Sequence, residues 1–261
     1  NLPTRIFGPC RSAMMATSRP SFCAQSRTVR APELRGLLYA HGQRVVVFEL
    51  EGPLFFGTAE KFTDTLVELA ARDTLILIAD LQRVSDVDST AVRLLSQVQR
   101  KLNRAGKRLA LSGLPIESRL ARLLGDFGLD AQDERPDAPP IKRFPDVDQA
   151  LEWAEDRLLE SLGPDVVAKS ERGLESLDMV RGFSAAEIAA IGRYLVRQQY
   201  HAGDVVFSAG ATSRELFAIV SGRASVTLAG AGGSGSATRL VTFSPGAVFG
   251  EFALLDRQPR S

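Results

Sequence analysis

Two different alternations share this chain, and the point where one gives way to the other limits its folds more than any other feature. Before about residue 162, apolar runs of strand length alternate with helix-period segments. "RVVVFELEG" (44–52), "TLILIADL" (74–81) and "KRLALSGL" (107–114) are rich in β-branched and aliphatic residues, as buried strands are. "STAVRLLSQVQRKLNRAG" (89–106) places Ala91, Leu94, Leu95, Val98 and Leu102 on one helical face and stops at Gly106. "PDVDQALEWAEDRLLESLG" (145–163) repeats that period through Val147, Leu151, Ala154, Leu158 and Leu162. "TAEKFTDTLVELAARD" (58–73) reads as a third helix, with Lys61 where a capping box would have Glu. Strands alternating with helices predict an α/β layer in which helices pack on a sheet.

After about residue 174 the pattern changes. "SAAEIAAIGRYLVRQQY" (184–200) opens on a good N-cap, Ser184, and keeps Ile188, Ile191 and Leu195 in helical register. Short glycine-broken strands then follow: "GDVVFSAG", "ELFAIVSG", "RASVTL", "TRLVTF" and "GAVFG". They predict a small antiparallel barrel or roll behind a leading helix. The organisation expected is a basic irregular arm (1–36), an α/β domain (37–162), a linker (163–173) and a mainly β domain (174–261). "DERPDAPP" (133–140) reads as a loop, because its prolines remove backbone donors.

Composition excludes several classes of function. A net charge of +1 gives no general basic excess for neutralising phosphates, so no nucleic-acid partner is expected. Residues 1–44 are locally basic, with arginines at 5, 11, 19, 27, 30, 35 and 44 against the single acid Glu33, as in segments that flank membrane helices on the cytoplasmic side. No apolar run approaches the roughly 18 residues of a membrane span. Cys10 and Cys23 form neither a zinc pattern nor a disulfide framework, and such scarcity fits a reducing compartment. His41 and His201 are not spaced as a metal pair, and neither a nucleophile elbow nor a P-loop occurs. No catalytic residue, metal site or resident cofactor is therefore expected. "GAGGSG" (230–235) matches a dinucleotide fingerprint literally, but a strand rather than a helix follows it, so it reads as a hairpin loop.

Two stretches carry chemistry. In "DVDSTAVRLL" (86–95), Asp88, Ser89 and Thr90 stand between a strand and a helix, where they can cap free N–H groups. A phosphate added there would meet the positive end of the helix. In "FGEFALLDRQPRS" (249–261), a glycine, a carboxylate, an apolar run and a Pro-Arg-Ser ending have the makings of a cradle for a small anion.

These stretches carry a resemblance to two families. Residues 37–162, through "FELEGPLFFGTAEKF" and "DLQRVSDVDSTAVRLL", resemble a STAS domain, the α/β module with a mixed sheet and packed helices shared by sulfate-transporter tails and anti-sigma-factor antagonists. "GPLFFGTAEKF" is more similar to the transporter (SulP) version. By this resemblance Asp88, Ser89 and Thr90 match the antagonists' phosphorylated turn, with Thr90 at the acceptor position and Ala91 in place of a small glycine.

Residues 174–261, through "YHAGDVVFSAG", "ELFAIVSGRASV" and the terminal cassette, resemble a cyclic-nucleotide-binding domain, a jelly-roll-like fold with a leading helix. The resemblance implies that Glu251 takes the ribose 2′-hydroxyl and Arg260 the phosphate of cAMP or cGMP as a regulatory ligand. Gly250 would admit the ligand to the backbone, Phe252 and Ala253 would continue the cassette, and the Ser261 hydroxyl would assist at the phosphate. Such a pairing is chemically sound, since a guanidinium matches phosphate oxygens and a carboxylate accepts from a hydroxyl. The family's later strands and closing helix do not follow the cassette here, so the domain is expected to be incomplete at its C-terminus and, as this stretch alone, to bind nucleotide weakly.

Together these resemblances imply the cytoplasmic regulatory region of a SulP-like anion transporter, acting on its own upstream transmembrane domain at the inner face of the plasma membrane. A different class remains open: a soluble partner-switch protein, phosphorylated at Thr90 or Ser89, whose STAS surface binds a regulatory protein. A homodimer is compatible with either.

Overall fold

The computed structural model describes residues 5–7, 25–55, 64, 67–68, 73–114, 121–123, 141–163, 166, 173–228, 237–252 and 260. The chain divides into two compact units, one comprising Asn1–Ser26 with Leu37–Ser161, the other Arg27–Gly36 with Leu162–Ser261.

The first unit is built on a five-stranded mixed sheet of β1 (Arg5–Phe7), β3 (Val45–Leu54), β4 (Ile76–Val87), β5 (Arg108–Ser112) and β6 (Lys142–Phe144), in spatial order β1-β3-β4-β5-β6. β3 to β6 are parallel, and β1 pairs antiparallel with the outer edge of β3. α2 (Ser89–Arg104) packs on one face: Ala91, Leu95, Val98 and Leu102 share a buried cluster with Phe48, Leu50, Leu77, Ala79, Leu109 and Leu111. α3 (Val147–Ser161) packs on the parallel strands and buries Ala150, Ala154 and Leu158 completely. Ile76, Leu77, Ile78 and Ala79 are all inaccessible to solvent. Burial on both faces explains why the strand sequences are continuous apolar runs instead of alternations.

Local chemistry sets both ends of α2. Asp88, in extended conformation, accepts a hydrogen bond from the Ala91 amide at 2.7 Å. At the other end Gly106 takes φ +70°, its amide donates to the Asn103 carbonyl, and Lys107 N–H donates to the Leu102 carbonyl. This is a Schellman closure, in which the left-handed residue is most easily glycine. Of the helix expected over 58–73, Asp64, Val67 and Glu68 are described and helical, and Asp73 is described as a bend; the remaining residues, and the 133–140 loop, lie outside the described residues.

The arm expected to be irregular contains structure in its described residues. Besides β1 it holds β2 (Thr28–Val29) and the start of α1 (Pro32–His41). β2 pairs in parallel with β9 (Thr238–Phe243) of the second unit, whose Thr242 and Ser244 amides donate to the Arg27 and Val29 carbonyls at 3.2 and 3.0 Å. The Ser244 hydroxyl also donates to the Val29 carbonyl.

In the second unit the leading helix α4 (Ala185–Gly192) starts from a complete capping box, Ser184 with Glu187. It is shorter than the sequence suggested. It ends at Gly192, the residue with the lowest helix propensity in 184–200, and Leu195 falls beyond it, 39% exposed. A methyl at Gly192 would lie 3.2 Å from Leu174, so the glycine allows α4 to sit close to the short 3₁₀ turn at Leu174–Ser176.

The strands are β7 (Phe217–Ala218), β8 (Ala224–Leu228), β9 and β10 (Val248–Phe249). They form a three-stranded sheet β2-β9-β8 and a β10-β7 pair. The run at 203–210, expected as a strand, is not one: it makes no ladder, and its apolar residues are used otherwise. β8 and β9 pair antiparallel, as the hairpin reading of 230–235 requires, although that loop itself lies outside the described residues.

Candidate functional site

The site is assembled where β10 ends. Gly250 takes φ +87°, turning the chain out of the strand, and Glu251 and Phe252 follow in helical conformation. A side chain at 250 would collide: an added Cβ would stand 2.6 Å from Nη1 of Arg260 and 3.2 Å from the Glu215 carbonyl. Both φ and space therefore demand glycine.

Arg260 is only 5% exposed, which is unusual for a guanidinium and costly unless it is paired. Three of its five N–H groups have identified acceptors. Nη1 donates to the Gly250 carbonyl at 2.8 Å, Nη2 to the Glu215 carbonyl at 2.5 Å, and Nε to the Ser213 hydroxyl at 3.4 Å. The guanidinium carbon lies 4.2 Å from the centre of the Phe207 ring. Its backbone is fixed as well, since Arg260 N–H donates to the Ala211 carbonyl and Gly210 N–H to that of Arg260, at 2.9 and 2.7 Å. All the identified acceptors are neutral, so no carboxylate among them offsets the arginine's charge. The arrangement suits an anion, since among the described residues the acceptors take three of the five N–H groups of a guanidinium already held in place.

Glu251, expected to meet the ribose, is half-buried and directly follows the glycine whose carbonyl holds Arg260. The backbone thus brings the Arg260 guanidinium to the residue that precedes Glu251. Phe252 is 67% exposed and faces solvent. Ala253 and Ser261 lie outside the described residues.

Sequence reasoning did not identify Phe207, Ser213 or the carbonyls of Glu215 and Gly250. A backbone carbonyl has no sequence signature, and Phe207 sat in a run read as an ordinary strand.

In the first unit, Asp88 serves as the helix cap, so its carboxylate is engaged structurally. Ser89 is exposed and Thr90 half-buried on the first turn of α2. Elsewhere in the same sheet is a polar cluster that the sequence reading missed. Asp80 and Ser112 are register partners on β4 and β5, 8% and 0% exposed, and the Ser112 hydroxyl donates to Asp80 Oδ1 at 3.1 Å. Gly113, φ +72°, closes over them, and a Cβ there would come within 2.6 Å of both Asp80 Oδ1 and the Gln82 amide nitrogen. An Asp within "LILIADL" was the available signal. Among the described residues no group of His, Cys, Asp and Glu could hold a metal ion, and no helix is long and apolar enough to cross a membrane.

Comparison with known proteins finds two family matches. The STAS domain family matches residues 38–150 and the cyclic nucleotide-binding domain family residues 197–261. Two curated relatives from Bradyrhizobium diazoefficiens, named Glutaminase 2 and Glutaminase 1, are 32% and 28% identical over 233 residues, 89% of this chain. The chain spans only 35% of the length of each. Among solved structures, the STAS domain of a SulP transporter from Vibrio cholerae is 25% identical over 48% of this chain and 96% of its own, with a TM-score of 0.36. The chain therefore carries a STAS domain followed by a cyclic nucleotide-binding domain.

Proposed function

We propose that this chain is a regulatory region in which the second domain senses a cyclic nucleotide and the STAS domain conveys its occupancy to an effector. The observation that carries this reading is the buried Arg260, oriented by the Glu215 carbonyl and by that of Gly250, the residue that precedes Glu251. The guanidinium pairs with the cyclic phosphate, and Glu251 accepts from the ribose hydroxyl; each charge-assisted bond contributes about 1.5–3 kcal/mol. Regulation requires that the nucleotide bind one of two states better than the other.

Two effectors are supported by different observations. The resemblance at 52–62 favours a SulP-like membrane domain that carries sulfate or another inorganic anion. The two relatives, similar across both domains, are named glutaminases, which favours a glutamine-hydrolysing effector. The second similarity spans more of the chain and takes precedence.

The test is to assay the full natural polypeptide for glutamine hydrolysis, and in liposomes for sulfate uptake, with and without cAMP or cGMP. Nucleotide-dependent hydrolysis is expected. Nucleotide-dependent uptake alone would assign the transporter instead, and neither activity responding would overturn the regulatory reading.

A further inference from the structure

The guanidinium plane of Arg260 is held at its edges by hydrogen bonds and on one face by an aromatic ring. Phe207 lies in a stretch with no ladder of its own, yet its ring centre is 4.2 Å from the guanidinium carbon. Behind it the rings form a packed group: Phe207 lies 5.8 Å from Phe217 and 6.0 Å from Phe249, and Phe217 stacks on Phe249 at 5.4 Å and 17°. Phe243 of β9 stacks on Phe249 in turn, at 5.2 Å. The Gly210 and Ala211 backbone bonds to Arg260 anchor the same segment three and four residues further on.

We propose that Phe207 is a positioning residue for the phosphate-binding arginine: its ring face stabilises the desolvated cation and fixes the plane from which the remaining N–H groups meet the ligand. This rests on the nucleotide-sensing reading. The chemistry follows from the ring quadrupole, which attracts a cation over the face most strongly where water is excluded. Arg260 at 5% exposure meets that condition. The Gly250 and Glu215 carbonyls and the Ser213 hydroxyl hold the guanidinium at its edges, while Phe207 at 4.2 Å is the nearer of the two rings that it lies over, Phe217 standing at 5.8 Å.

The experiment compares Phe207→Leu, which keeps an apolar side chain without a π face, with Phe207→Trp, which keeps the face, in the full natural polypeptide. Calorimetric titration with cAMP and cGMP should show affinity falling about 3- to 30-fold in F207L and recovering to within about 3-fold of wild type in F207W. In an Arg260→Gln background, F207L should cause no further loss. A readout independent of nucleotide is the ring-current shift of the Arg260 side-chain protons, large in wild type and F207W and reduced in F207L to what the more distant Phe217 ring at 5.8 Å leaves. Equal affinities in wild type and F207L, or an equal further loss in the Arg260→Gln background, would overturn the positioning role while leaving nucleotide sensing intact. No binding by the wild type would overturn both.

Discussion

Replacing Gly250 by alanine introduces a single methyl group at the most crowded point of the site. That carbon would stand 2.6 Å from Arg260 Nη1, well inside contact distance, and 3.2 Å from the Glu215 carbonyl. The backbone at φ +87° adds about 1–2 kcal/mol for any residue with a Cβ. Since a buried guanidinium tip yields more easily than backbone, Arg260 should swing away, forfeiting its bonds to the Gly250 and Glu215 carbonyls. Each charge-assisted bond lost costs about 1.5–3 kcal/mol, so the two bonds and the backbone together destabilise the domain by about 4–8 kcal/mol. A displaced arginine no longer meets phosphate, so nucleotide affinity should fall about 10- to 150-fold. Gly222→Ala supplies the control, because Gly222 has φ +79° but no neighbour within 4 Å of an added Cβ. Thermal unfolding should show both variants destabilised, and calorimetry should show only Gly250→Ala losing affinity. Wild-type affinity in Gly250→Ala would refute the claim that Gly250 makes room for the arginine.

Four further outcomes follow from other parts of the structure. Gly113→Ala should destabilise the STAS domain by about 3 kcal/mol or more in urea unfolding, since its methyl would overlap Asp80 and the Gln82 backbone at φ +72°. Asp88→Ala should cost about 1 kcal/mol in the same assay through loss of the α2 cap. The Glu187 carboxyl is held below its ordinary value by the Ser184 backbone amide and then by the Ser184 hydroxyl, so the unfolded chain binds the proton more tightly. Its contribution is present above the unfolded pKa and is lost as pH falls through the lowered folded value, and Glu187→Gln should remove that acid-side loss from a circular-dichroism titration of α4. Finally, deleting residues 25–31 should accelerate hydrogen exchange at the Thr242 and Ser244 amides, whose acceptors are the Arg27 and Val29 carbonyls.

What the sequence revealed and what it hid have physical explanations. β3, β4 and β5 were legible because burial on both faces requires unbroken apolar runs, and α2 because its period, Asp88 and Gly106 agree. β6, "KRF", was not, since a three-residue edge strand needs no apolar signature. β2 was hidden for a similar reason: two residues joining β9 from far away in sequence are defined by backbone bonds alone. The opposite error arose at 203–210, where Val205, Val206 and Phe207 suggested a strand. Val205 is 71% exposed, and Phe207 packs on Arg260 and its aromatic neighbours. In the site, Gly250, Glu251 and Arg260 were expected from the resemblance to the cyclic-nucleotide-binding cassette, and the structure joins Arg260 to the Gly250 carbonyl. The acceptors that orient Arg260 were not, because two are main-chain carbonyls and the third, Ser213, is 47 residues away.

The central claim is that Arg260 binds the phosphate of a cyclic nucleotide. Calorimetric titration of the full natural polypeptide with cAMP and with cGMP, beside the Arg260→Gln variant, tests it most directly. Saturable binding of at least one nucleotide is expected, weakened about 10-fold or more by Arg260→Gln. No binding of either nucleotide, or equal affinity with and without the guanidinium, would contradict it.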